Sequence, residues 1–245
     1  MNRVVVQAAV RAAGFAGLKK ISVIMPVLNE ATGIAASLAA LQPLRAAGHE
    51  VIVVDGGSKD GSVSLARSLA DRVISSPKGR ARQMNEGSQL ASGEILLFLH
   101  GDTQLPLNAD RLMEEGMRSS QKGWGRFDVR LSGEHWLLRV VECLMNWRSR
   151  LAGIATGDQA IFVRREWFDA VGGFPDIPLM EDIELSRQLK RLGPPLCLQP
   201  PVLTSSRRWE EHGILRTILL MWRLRLAFFL GASPTRLVRR YYGGQ

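Results

Sequence analysis

Short apolar runs set the rhythm of the first part of the chain. Ile21–Val27 (ISVIMPV) and residues 51–54, 73–75 and 95–99 are too short for ordinary helices, lean towards β-branched types and end in polar or glycine-rich stretches, which predicts strands. The wholly apolar runs 51–54 and 95–99 predict strands buried on both faces. Between the runs the spacing turns helical. Ile34, Leu38 and Leu41 share a face within 30–44, and further helices are expected over 62–72 and 80–91, with Gly48 and Gly93 as stops. Strands alternating with helices of this length predict a mostly parallel sheet joined by right-handed crossovers. Pro26 is expected to mark the end of the first strand, because it cannot donate to a ladder.

After Pro106 the texture changes to α+β. Residues 111–119 read as a helix, 125–131 alternate like an edge strand, 134–151 form a longer amphipathic helix and 160–163 a further short strand. Pro175-Asp176-Ile177-Pro178 is a loop that feeds MEDIEL and a helix stopping at Gly193. No internal repeat or low-complexity linker divides the chain, so one domain is expected over 21–205, with a doubly wound nucleotide-binding half (21–105) and a second half (106–205). An N-terminal extension (1–20) precedes it and a basic amphipathic helical segment (206–245) follows.

Composition changes this picture in one place. Of 245 residues, 46% are hydrophobic and 22% charged, ordinary for a globular protein, and Cys143 and Cys197 are too far apart to suggest a zinc knuckle or a disulfide framework. A reducing cytoplasm is the expected compartment. The net charge of +9 is concentrated at the end: 203–245 holds eight Arg against two Glu. Apolar residues are interleaved with that charge, from Ile214 through Trp222 to Leu230, so this helix is expected to pack on the rest of the domain or on a homodimer partner, with a peripheral contact with the inner face of a membrane as the alternative. No apolar run approaches the ~18 residues needed to span a bilayer. No recognised nucleic-acid module accompanies the charge, and nucleic acid is not an expected partner.

Candidate chemistry sits at the ends of the predicted strands. Asp55 leads into Gly56-Gly57-Ser58, where a ligand can approach the backbone closely, although neither GxGxxG nor a Walker loop is present. Arg80 and Arg82, with Gln83 and Asn85, open a helix where guanidinium groups and free N–H groups suit a diphosphate. The strand at 95–99 runs into His100-Gly101-Asp102, on the sheet edge where open α/β folds bind ligands. A hard cation, Mg2+ or Mn2+, bridging Asp102 to a diphosphate is the economical assignment, with His100 as a second ligand if the metal is Mn2+. Glu181 and Asp182 open a later helix. Successive helical residues diverge by ~100°, so only one of the two is expected to face the crevice.

Taken together, SVIMPVLNE, VIVVDGGSKDGS, GRARQMNEGSQLASGEILLFLHGDT and PLMEDIELSRQLKRLG resemble the family 2 glycosyltransferases of GT-A fold. More narrowly, GDQAIFVRREWFDAVGGFP with SRRWEEHGILRTILLMWRLRL resembles the bacterial radical-SAM/selenodomain-associated transferase 2 subgroup. The resemblance implies an inverting transfer of a sugar from a nucleoside diphosphate sugar, a UDP-sugar first of all, to an acceptor hydroxyl. It implies that Pro26, Asn29, Glu30, Asp55 and Gly57 line the nucleoside pocket, that Arg82 lies over the nucleotide with Arg80, Gln83 and Asn85, and that Asp102 is the last acid of the Asp-x-Asp metal motif. His100 stands where that motif has its first acid, and His212 is a further candidate ligand. Asp182 matches the general base, with Trp124, Asp158, Gln159 and Glu181 expected at the acceptor site. Two rivals remain: a sugar-1-phosphate nucleotidyltransferase, which Pro26-Val27-Leu28-Asn29-Glu30 in place of a glycine-rich loop argues against, and a non-catalytic nucleotide-sugar-binding protein, motivated by His100.

Overall fold

The computed structural model describes residues 20–242, so the extension expected before Lys20 lies outside the described residues. One eight-stranded sheet organises them, in the order β3-β2-β1-β4-β7-β6-β8-β5. Strands β1 (Ile21–Val27), β2 (Glu50–Asp55), β3 (Arg72–Ser75) and β4 (Ile95–Phe98) pair in parallel. Their period-two alternation splits two cores. Val23, Met25, Val51, Val53 and Leu97 join one cluster, and Ile24, Ile52, Val54, Leu96 and Phe98 join the other. That two-sided burial is why these runs carry almost no polar residue.

Pro26 is the penultimate residue of β1, paired with Val54, and the strand ends one residue after it, at Val27. The last β1–β4 pair is Ile24 with Phe98, so at Pro26 no β4 neighbour is left to miss its donor. The helix expected over 30–44 is instead two short ones, α1 (Ile34–Ala39) and α2 (Gln42–Ala46), because Pro43 lacks the N–H that would continue the first. Only α3 (Ser62–Ala66) forms where 62–72 was expected. The next helix, α4 (Arg80–Leu90), seats on β1 and β2 through Gly87, where a Cβ would come within 2.5 Å of Ile24 and 2.9 Å of Val54.

The second half reverses direction. β7 (Ile161–Arg164) runs antiparallel to β4 and to β6 (Trp124–Leu131), while β8 (Leu196–Thr204) is parallel to β6 and antiparallel to the two-residue β5 (Thr103–Gln104). The sheet is therefore mixed. β6 is an interior strand, not the edge its alternation suggested, because β8 covers its far side through a register shift that leaves Gln199 and Pro200 without partners. Helices α5 (Ala109–Ser120), α6 (Trp136–Ala152), α7 (Arg165–Val171) and α8 (Glu181–Leu189) cover this half. The basic segment forms α9 (Arg207–His212), α10 (Ile214–Phe229) and α11 (Pro234–Tyr242), separated by Gly213 and Gly231 at positive φ. Leu224, Leu237 and Tyr241 pack on Ile154, Met180 and Ile183, fastening these helices to the start of α8.

No described helix is long and apolar enough to cross a membrane.

Candidate active site

The antiparallel β4–β7 pair assembles the centre of the site. Phe98 at the end of β4 faces Ile161 at the start of β7, so the residues leaving β4 lie beside the turn Gly157–Gln159 that enters β7. His100 Nδ1 accordingly sits 3.5 Å from Asp158 Oδ1. A Cβ at position 157 would overlap the imidazole, so Gly157 makes room for His100. The Gly157 N–H in turn donates to Asp182 Oδ2 at 2.9 Å, and Asp182 Oδ1 accepts from Ile183 N at 2.7 Å. Asp102 is fixed from the other side: its carbonyl accepts from Ser205 N at 3.2 Å, just past β8.

These groups line one cleft of about 340 Å3 between the two halves of the sheet and the basic helices, within the range usual for ligand sites. Its walls carry the carboxylates of Glu30, Asp102, Asp158, Glu181, Asp182 and Glu211 and the guanidinium groups of Arg80, Arg207, Arg208 and Arg225. Both acids of the Glu181-Asp182 pair line it, contrary to the helical expectation that one would turn away. Met180, at the helix N-cap with φ of 69°, introduces the pair.

Crowded acids perturb one another. Burial and then the charge of Asp182 push the Glu181 carboxyl up to about 7, with Arg80 and His100 pulling the other way. Glu30 is raised by burial and by Asp102. Burial also raises Asp158, but the His100 imidazole, Arg80 and Arg225 outweigh it and hold that carboxyl below its ordinary value. Opposite the acids, burial lowers the Arg225 guanidinium, which Asp182 and Asp158 draw back up. Burial and Arg225 bring Arg148, on α6, down to about 10; its Nε and Nη2 are buried with no hydrogen-bond partner among the described residues. Arg148, Arg207, Arg208 and Arg225 were not singled out in the sequence. The cleft joins segments too remote for spacing to connect them, and each arginine reads as an ordinary helical charge.

The remaining expected residues divide plainly. His212 lines the cleft with His100. Asp55 does not: it is buried at the end of β2, its oxygens accepting from Gly57 N at 3.0 Å and Ser58 N at 3.1 Å, so Asp102 and Asp182 meet in the cleft while Asp55 organises the neighbouring loop. Asn29, at φ of 55°, accepts from Lys59 N and clasps that loop to the end of β1, where Pro26 also sits. Gln83 is buried and donates to the carbonyls of Val27 and Val54, locking β1 to β2. Asn85 bonds both backbone groups of Phe174. Arg82 points outward to Asp176 at 2.8 Å. Trp124 and Gln159 are fully buried: Trp124 packs in the core with its ring N–H on Gly193 O, and Gln159 caps its own turn through Thr156. Neither lines the cleft, because inward-facing positions of an interior strand and its feeding turn point into packing.

Among the described residues no three His, Cys, Asp or Glu side chains gather into a metal cage. Asp102 and His100 on one wall fit a hard cation only as a minor share of its ligands, the arrangement in which phosphate oxygens and water complete the shell.

Residues 22–140 match the model of glycosyl transferase family 2. The probable glycosyltransferase YdaM of Bacillus subtilis is 26% identical over 238 residues, covering 87% of this chain and 55% of that protein. A PGL/p-HBAD biosynthesis glycosyltransferase of Mycobacterium bovis is 35% identical over 178 residues, 62% of each chain. The chain thus spans about half the length of the first relative and under two thirds of the second. Among solved structures, the mannosyltransferase PcManGT of Pyrobaculum calidifontis, in complex with GDP-Man and Mn2+, superposes with a TM-score of 0.61 at 22% identity, over 91% of this chain and 68% of that one. TarS 1-349 of S. aureus with UDP-GlcNAc gives 0.61 at 17% identity, over 76% and 58%. At such identities the likeness is one of fold, the α/β GT-A arrangement.

Proposed function

We propose that the chain, whose residues 22–140 match the model of glycosyl transferase family 2, is a member of that family and transfers a sugar from a nucleoside diphosphate sugar to an acceptor hydroxyl with inversion at the anomeric carbon. The observation that carries this reading is the meeting of Asp102, from the strand-end loop of the first half, with Asp182, from a helix of the second, in one arginine-lined cleft. The finer placement, in the radical-SAM/selenodomain-associated transferase 2 subgroup, rests on the motifs GDQAIFVRREWFDAVGGFP and SRRWEEHGILRTILLMWRLRL.

In this reading the diphosphate lies towards Arg80 at the start of α4 and towards Arg207, where guanidinium groups stabilise the charge that grows on the leaving group. Asp102 would hold a divalent cation, Mg2+ or Mn2+, with His100 and His212 as further ligands; such an ion supplies charge neutralisation to the diphosphate. The acceptor oxygen attacks the anomeric carbon as the bond from that carbon to the diphosphate oxygen breaks, and the hydroxyl proton passes to Asp182. Two backbone N–H groups fix the Asp182 carboxylate, leaving each oxygen a second lone pair for that proton. Asp158 and Glu181, on the same walls, would border the acceptor. The nucleoside would extend towards the clasped loops of Asn29 and Asp55. PcManGT was solved with GDP-Man and TarS with UDP-GlcNAc, so both bases belong in a first screen, uridine leading. A reducing cytoplasm is the proposed compartment.

A thermal-shift panel of nucleoside diphosphate sugars with and without Mn2+ tests the reading. A ligand that binds the native state raises the apparent midpoint. At least one sugar nucleotide should do so only with the metal present; no shift with any of them would remove the donor assignment.

A further inference from the structure

Two neighbouring helices leave apolar faces uncovered. On α6, Trp136, Trp147 and Leu151 are 61% to 69% exposed, and on α10, Leu219, Trp222 and Leu226 are 59% to 62% exposed. Each set recurs at helical spacing, and α6 and α10 pack on one another. Their opposite faces are already committed: Leu138, Val141 and Met145 of α6 lie in the main core, Ile214 and Ile218 of α10 pack against it, and Leu224 joins the cluster at the start of α8. The exposed stripes therefore lie away from the packed faces of both helices, as apolar surface left uncovered by the rest of the fold.

Charge decides the occupant. Arg216 and Arg223 border the patch on α10, both exposed, and Arg150 beside it on α6 is paired with Asp128, while Glu142 of α6 is buried against Leu131 N and α10 contains no acid. Beside α10 a groove of about 430 Å3 is lined by Arg208, His212, Arg216, Arg223 and Arg240 and by no carboxylate. A second copy would bring the same arginines to the same face and be opposed by like charge. Tryptophan and leucine rimmed by arginine fit the boundary between acyl chains and anionic headgroups.

We propose that the outer face shared by α6 and α10 docks on an anionic lipid surface, with headgroup phosphates entering the arginine groove beside α10. The groove and the cleft share Arg208, His212, Thr217 and Tyr241, so docking would hold the cleft close to the bilayer. The inference rests on the surface alone and survives failure of the transferase reading.

Cosedimentation of the full chain with vesicles tests it without turnover. Wild type should pellet with equal parts phosphatidylcholine and phosphatidylglycerol, weaken as salt rises and bind phosphatidylcholine alone poorly. Trp147→Ser with Trp222→Ser should lose at least about tenfold in binding. Arg216→Gln with Arg223→Gln should lose about fivefold for each charge and flatten the salt dependence. Both pairs are exposed, and circular dichroism checks that the variants stay folded. Wild type left in the supernatant, or variants that pellet as well as wild type, would overturn the proposal. So would a dimer in sedimentation velocity that the tryptophan substitutions dissociate, because the patch would then be covered by a second copy.

Discussion

The two halves of the sheet solve different problems. In β3-β2-β1-β4 every pairing is parallel and alternate residues feed separate cores, so apolar character is dense and local. In β7-β6-β8-β5 antiparallel pairings flank the parallel pair β6–β8, a register shift interrupts that pair, and two prolines stand in β8. The first half is a regular platform whose strand ends carry loops. The second is irregular and supplies the groups that close the cleft, including Asp158 on the turn before β7 and Glu181 and Asp182 on α8. The division teaches that one wall of the cleft can be built on locally encoded structure, whereas the cleft as a whole has to be completed by distant segments.

The contrast can be broken most sharply on the irregular side. Asp182→Asn keeps the shape of the carboxylate but not its basicity, so turnover should fall by ~10²- to 10⁴-fold while donor binding is retained. Steady-state kinetics with donor titration separates the two, and a parallel loss of both would make Asp182 a binding residue. On the platform the expected damage is to stability. Gly87→Ala drives a methyl into Ile24 and Val54, which should cost about 1–3 kcal/mol in urea unfolding. An unchanged midpoint would mean that α4 seats loosely on β1 and β2.

A smaller effect sharpens the comparison through pH. Glu181 titrates near 7 in the fold, well above its ordinary value, so between about pH 4.5 and 7 the native state keeps a proton that the unfolded chain has lost. Stability should therefore decline as pH rises through that window and level off above it. Glu181→Gln should remove that part of the slope, read as the difference between the two proteins' urea midpoints across the window. Parallel profiles would show Glu181 to be ionised in the fold. The smallest effect belongs to the platform's surface. Arg82→Ala removes an exposed ion pair with Asp176 and should leave the unfolding midpoint unchanged within error, so any loss of nucleotide affinity in that variant would report contact with the ligand.

The same contrast explains what could be read from the chain. β1, β2 and β4 were legible because burial on both faces writes itself as apolar runs, interrupted in β1 only by the buried Ser22, and Asp102 because it leaves such a run. Strand β8 was not, because Pro200 and Pro201 argue against a strand and only a bulge reconciles them with one. The split of α1 from α2 was foreshadowed by Pro43, yet the Ile34-Leu38-Leu41 spacing suggested continuity. Asp182 was found by its motif. Arg225 was not, since nothing local distinguishes an arginine facing a carboxylate across a cleft from one facing water. Asp55 is the reverse case: its position at a strand end pointed to the cleft, but its carboxylate accepts from Gly57 and Ser58 and does not line it.

Calorimetric titration of a nucleoside diphosphate, with and without Mn2+, into wild type, Asp102→Asn and Asp182→Asn bears most directly on whether the two halves share one donor site. Metal-dependent binding should be present in wild type, lost in Asp102→Asn and kept in Asp182→Asn. Binding that ignores both the metal and Asp102 would contradict the assignment of this cleft to a nucleotide-linked sugar.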